Sequence, residues 1–228
     1  MNPYYQDDYC TIYHGDCRDI MPSLPKVDLV LTDPPYGIGF RSNYRIVRHD
    51  GIQGDDFLPV ELIEQSKDKA IMASYIFCRW DNIAEMPKPK SIIAWVKNNW
   101  SMGDLKHEHG RQWEAICFYP KDKHEFVKRI PDVIYADRTG NDLHPTEKPV
   151  SLMKQLIQCN RGDTILDPFM GSGTTLRAAK DLRRKCIGIE IEEKYCEIAV
   201  QRLARGDNFE NIKIGIEKCK GVQQGFGL

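Results

Sequence analysis

Short apolar runs alternate with helix-length segments along nearly the whole chain, and this alternation leaves few folds open. CTIY at 10–13, VDLVLT at 27–32, AIMASY at 70–75, SIIAWV at 91–96, EAICFY at 114–119, TILD at 164–167 and CIGIE at 186–190 read as strands. Segments 59–70, 150–159, 174–182 and 192–203 carry apolar residues at helical spacing, with Pro149 suited to a first helical turn. Strands that are apolar throughout and separated by helices belong to a mostly parallel sheet covered on both faces. Segments 37–56, 97–112 and 120–143 have neither period and read as long loops, which are commonly functional.

The 228 residues suffice for one sizeable core, and 41% apolar with 10% aromatic content fits an ordinary globular chain. A formal charge of −1 means that any polyanion must be met by local basic patches. Eight cysteines include no C-x-x-C pair, and several lie in apolar runs, where a thiol acts as a small hydrophobe. Reduced, buried cysteines in a cytoplasmic protein are the expectation. The opening MNPYYQDDYC lacks a signal-peptide plan, and no apolar run reaches membrane-spanning length. His107 and His109 flank Glu108, but a polar loop accounts for them, and no metal is expected.

Two strands end abruptly. VDLVLT runs into Asp33-Pro34-Pro35-Tyr36, where prolines without N–H groups stop the ladder and gather an acid, bare carbonyls and an aromatic ring. TILD ends in Asp167-Pro168-Phe169, followed by Gly171 and Gly173 and a helix beginning at Thr174. Glu190 closes the next strand, nineteen residues after Gly171, where an acid grips ribose hydroxyls in doubly wound folds. The third glycine of a dinucleotide fingerprint is replaced by Leu176, and no phosphate-binding G-x-x-x-x-G-K-[ST] loop exists. An acid beside the glycine loop repels a pyrophosphate and suits a ligand with a ribose, an adenine and a cationic end. S-adenosylmethionine has all three.

With TDPPY preceding DPFMGSGTT, the chain resembles the S-adenosylmethionine-dependent DNA amino-methyltransferases, in the permuted motif order of their β class. YHGDCRDIMPSLP at 13–25 and HPTEKP at 144–149 are similar to further family segments, so the resemblance runs from about residue 9 to about 204. It implies one α/β Rossmann-like methyltransferase domain over 1–228, circularly permuted in motif order. Seven mostly parallel strands would lie first, seventh, sixth, second, third, fifth, fourth, the fifth antiparallel, with helices on both faces. It implies that Asp33, Pro34, Pro35 and Tyr36 are catalytic. Asp16 and the Cys17 backbone would meet the cofactor adenine, Phe169 would pack on it and Glu190 would hold the ribose. Asp167, Gly171, Gly173 and Thr174 would line the methionine side, with Asp33 facing the cofactor's methyl group. His144, Thr146 and Lys148 would close over it, Lys148 near the methionine carboxylate, although a solvated loop explains His144 and Lys148 equally well.

The resemblance also implies the target, since family members with D-P-P-Y mostly methylate adenine N6, here in double-stranded DNA. Cytosine N4, RNA, a protein amide and a non-catalytic nucleotide-binding module are the alternatives. Arg41, Tyr44, Arg45 and Arg48 follow the first motif with a local excess of two positive charges and suit phosphate contact. Lys121 and Lys123 belong to a second such cluster, which a solvated charged face accounts for equally well. The resemblance also allows a homodimer.

Overall fold

The computed structural model describes residues 2–37, 58–101, 105–139 and 147–205. Nine strands form one sheet: β1 (Tyr5–Gln6), β2 (Cys10–His14), β3 (Val27–Thr32), β4 (Ala70–Cys78), β5 (Ser91–Ser101), β6 (Arg111–Pro120), β7 (Val133–Tyr135), β8 (Thr164–Asp167) and β9 (Lys185–Glu190). Their spatial order is β1-β2-β9-β8-β3-β4-β6-β5-β7. Without the two short edge strands this is the expected order of seven. β6 runs antiparallel to both neighbours, while β2, β9, β8, β3 and β4 pair in parallel.

Among the described residues five α-helices cover the sheet: α1 (Cys17–Ile20), α2 (Val60–Lys69), α3 (Val150–Gln158), α4 (Thr174–Asp181) and α5 (Glu193–Arg205). Strand alternation sorts the core residues. Leu29 and Leu31, Tyr75 and Phe77, Ile93 and Trp95, and Ile116 and Phe118 share one core with Leu152, Leu156, Leu176, Ala199 and Leu203 of α3, α4 and α5. Val30 and Leu166 pack with Ile20 beneath α1, and Ile76 and Cys117 pack with Ile63 of α2. The seven described cysteines are free and buried, as their apolar settings suggest.

Two of the three expected loops are partly strand. β5 continues through Lys97–Ser101 and β6 begins at Arg111, so much of 97–112 is a hairpin, and β7 lies within 120–143. The polar KNNWS stretch shows no apolar alternation, and its strand form comes from cross-strand pairing, with Ser101 opposite Arg111. Nearly all of 37–56, with Arg41, Tyr44, Arg45 and Arg48, lies outside the described residues, as do His144 and Thr146. Among the described residues no helix is long and apolar enough to cross a membrane.

Candidate active site

Because β3 and β8 are neighbours, both acidic corners emerge at the carboxyl edge of adjacent strands. The Thr32 hydroxyl donates to Asp167 Oδ1 at 2.6 Å, so the last residue of β3 is tied to the last residue of β8. Asp167 is buried and also accepts from the Phe169 N–H at 3.2 Å. Burial pushes its carboxyl up to about 6, against the opposing hydrogen bonds from Thr175 and Thr32. Its contacts join the two corners more than they present a free acid.

Gly171 and Gly173 hold positive φ angles of 50° and 80°, which the sharp turn into α4 requires. A Cβ on Gly173 would lie 2.7 Å from Ala199 Cβ, so the loop also needs glycine to approach α5. The Gly171 N–H donates to Glu190 Oε2 at 3.0 Å, and the Glu192 N–H donates to Oε1 at 2.8 Å. Burial pushes the Glu190 carboxyl up to about 7. One strand further, His14 pairs with Glu190, and Asp16 follows as the cap of α1, accepting from the Arg18 N–H at 2.8 Å. Asp16 also forms an ion pair with Arg18, while the Cys17 side chain is turned into the core. Thr174 is buried beneath Arg202, whose Nη1 donates to its hydroxyl at 2.9 Å.

At the first corner, Pro34 is buried. The Tyr36 hydroxyl donates to Asp33 Oδ1 at 2.5 Å, and the Asn82 side-chain amide holds the Tyr36 carbonyl at 2.8 Å. Asp33 Oδ2 accepts from Lys148 Nζ at 2.5 Å. Lys148, expected near the methionine carboxylate, holds its ammonium here against Asp33 and against Glu114, the latter at 3.3 Å. The segment before α3 delivers it to the sheet face on which α3 packs, beside the Phe77 ring.

Glu114 and Lys97 carried no role in the sequence reading, yet both belong to this cluster, and they form an ion pair with each other. The signal was present in the strand period. Leu29-Leu31-Asp33, Phe118-Ile116-Glu114 and Ile93-Trp95-Lys97 are each an inward-facing row whose last step is ionisable. Burial raises the Asp33 carboxyl above its ordinary range, with Lys148 pulling it back. Burial also presses Glu114 upward, but Lys148 and Lys97 outweigh it and hold that carboxyl low.

Lys121 and Lys123 do not join the site. β6 runs antiparallel and ends at Pro120 opposite Ala73, so the lysines following it lie at the other edge of the sheet. The Lys121 N–H bonds to the Met72 carbonyl near the start of β4, about 16 Å from the level of Asp33 at a strand rise of ~3.3 Å per residue.

Asp16 and Asp33, just past the ends of β2 and β3, and Glu190 and Asp167, closing β9 and β8, form a set of acceptors that fits S-adenosylmethionine. Carboxylates accept from ribose hydroxyls and attract cations, and among the described residues no phosphate cradle competes. The sheet order and paired acidic corners define a Rossmann-like methyltransferase fold. Comparisons with known proteins agree. The sequence model of a family described as DNA methylase, N6_N4_Mtase, matches residues 131–201. "Putative methylase YubD" of Escherichia coli (strain K12) is 34% identical over 211 residues, covering 83% of this chain and 88% of that protein. DNA adenine methyltransferase YhdJ of the same strain is 27% identical over 242 residues, with 85% and 82% covered. The crystal structure of an M1.HpyAVI–SAM complex aligns with a TM-score of 0.65 at 29% identity, over 85% of this chain and 100% of that one. The chain belongs to the N6/N4 DNA methylase family.

Proposed function

We propose that this protein methylates the N6 amino group of an adenine flipped out of double-stranded DNA, with S-adenosylmethionine as methyl donor. The observation that carries this reading is the Asp33–Tyr36 corner beside Asp167, at the carboxyl edge of a sheet that is laid out as in a methyltransferase. Bound S-adenosylmethionine supplies an electrophilic methyl group on a positively charged sulfur. Glu190 would hold its ribose, Phe169 and Asp16 its adenine end, and the Gly171–Gly173 loop its methionine end.

The protein's own contribution is placement and charge. Asp33 and the Pro34 carbonyl accept the two amino hydrogens of the base, turning the nitrogen lone pair toward the methyl carbon. The Asp33 charge opposes the positive charge that grows on that nitrogen. Tyr36 stacks against the extruded ring while its hydroxyl orients Asp33. Pro35 keeps the corner free of a competing N–H donor.

The β5–β6 hairpin projects beyond the carboxyl edge and carries exposed Trp100 and Trp113, with exposed Trp80 and Tyr135 beside it. We assign this edge to DNA contact, together with Arg41, Tyr44, Arg45 and Arg48. YhdJ, a relative named as an adenine methyltransferase, supports the choice of adenine over cytosine N4.

Nucleoside mass analysis of modification-free DNA incubated with the protein and S-adenosylmethionine tests the reading. N6-methyladenine is expected, whereas N4-methylcytosine alone would overturn the adenine assignment. Asp33→Ala should lower turnover by roughly a thousandfold or more, since it removes both positioning and charge stabilisation. It should leave S-adenosylmethionine binding by calorimetry within about threefold, because truncating Asp33 touches none of the proposed ribose and adenine contacts.

A further inference from the structure

Asp33 is occupied on both oxygens by groups of the protein itself. Oδ1 receives the Tyr36 hydroxyl and Oδ2 the Lys148 ammonium, each at 2.5 Å. A target amino group must bond to this same carboxylate, so the Lys148 ammonium competes with a substrate N–H for it. The ammonium side chain is only 5% exposed. Moving a buried cation away from its anion is costly unless a second anion receives it. Glu114 is that second anion, 3.3 Å away on the same sheet face, and Lys97 lies on its other side.

We propose that Glu114 is a positioning residue that draws the Lys148 ammonium off Asp33 when the target amino group arrives, making Lys148 a built-in stand-in for the substrate amine. This rests on the proposed function of Asp33. The cluster holds two carboxylates and two ammonium groups, so Lys148 can swing between acids with no change in net buried charge. Among the described residues, Tyr36 beyond β3 and Cys78 at the end of β4 also act on the two acids, and Arg138 beyond β7 acts on Lys97. Burial works against the Lys148 ammonium, and Asp33 and Glu114 together outweigh it, so the group is charged in the paired arrangement.

A double-mutant cycle separates this role from a structural one. Glu114→Gln should lower turnover roughly ten- to hundredfold and raise the KM for DNA, with S-adenosylmethionine binding unchanged by calorimetry. In a Lys148→Met background the same change should cause no further loss, because nothing remains to be drawn away. Equal losses in both backgrounds, or full activity of Glu114→Gln alone, would overturn the proposal. If Glu114→Gln does not fold, Lys97→Met/Glu114→Gln removes one charge of each sign and takes its place, with the same expected loss. Independently of turnover, carbon-13 NMR of lysine-labelled protein should show Lys148 titrating at lower pH in Glu114→Gln, and an unchanged titration would sink the pairing. If the wild type methylates no DNA, the proposed function fails; if it does and the cycle is additive, only the role of Glu114 fails.

Discussion

Glu190 sits under two opposing demands. Burial favours its neutral form and pushes its carboxyl from 4.5 up to about 7, while the hydrogen bonds from Gly171 and Glu192 favour the charged form. A ribose hydroxyl donates best to the carboxylate, so ligand binding should ionise the group. Calorimetry should therefore find S-adenosylmethionine affinity rising about tenfold between pH 6 and pH 8, the span over which a group of this pKa changes state. Glu190→Gln should bind more weakly and lose most of this dependence. The same raised pKa has a consequence for folding: its contribution to stability is present below about pH 4.5 and lost as pH rises through about 7. Urea melts of Glu190→Gln should show a shallower decline over that interval. The place of Glu190 was legible from strand length and its spacing to Gly171. Its protonation was not, because burial depends on how α1 and the glycine loop close around it.

Arg202 shows how one helix fixes a loop that it only touches. Its guanidinium is fully buried and is shared by three segments. Nη1 donates to the Ser172 carbonyl at 3.0 Å, to the Ser172 hydroxyl at 3.1 Å and to the Thr174 hydroxyl, while Nη2 pairs with Glu147. α5 thus holds the cofactor-side loop and the segment that presents Lys148 in one arrangement. Arg202→Met would leave Glu147 buried without its cation. It should destabilise the fold by about 3–5 kcal/mol in urea titration. Arg202→Lys should recover little, since one ammonium cannot reproduce the planar fork. The helix itself was evident from Tyr195, Ile198 and Ala199 at helical spacing. Arg202 fell on the same side, and an arginine on an inward stripe marks a buried partner that the linear sequence does not name.

Across the whole molecule, the direction of β6 decides which basic residues can serve the site. Lys121→Ala/Lys123→Ala should leave DNA affinity within about twofold, and the slope of affinity against salt unchanged, because neither lysine reaches a phosphate at the opposite edge. Trp113→Ala/Tyr135→Ala, on the projecting edge, should weaken DNA binding roughly tenfold or more in a titration monitored by fluorescence anisotropy. The chain alone determined the alternation of strands and helices, the stops at Asp33 and Asp167, the glycine turn and the acid that closes β9. Each of these is a local matter of period, backbone freedom or missing N–H groups. Only the tertiary structure decided that Glu114 and Lys97 meet Asp33, that Lys148 binds protein acids, and that Lys121 and Lys123 face away. Those outcomes depend on which strands become neighbours and in which direction each runs, and side chains far apart in sequence acquire their electrostatic roles only after the sheet has brought them together.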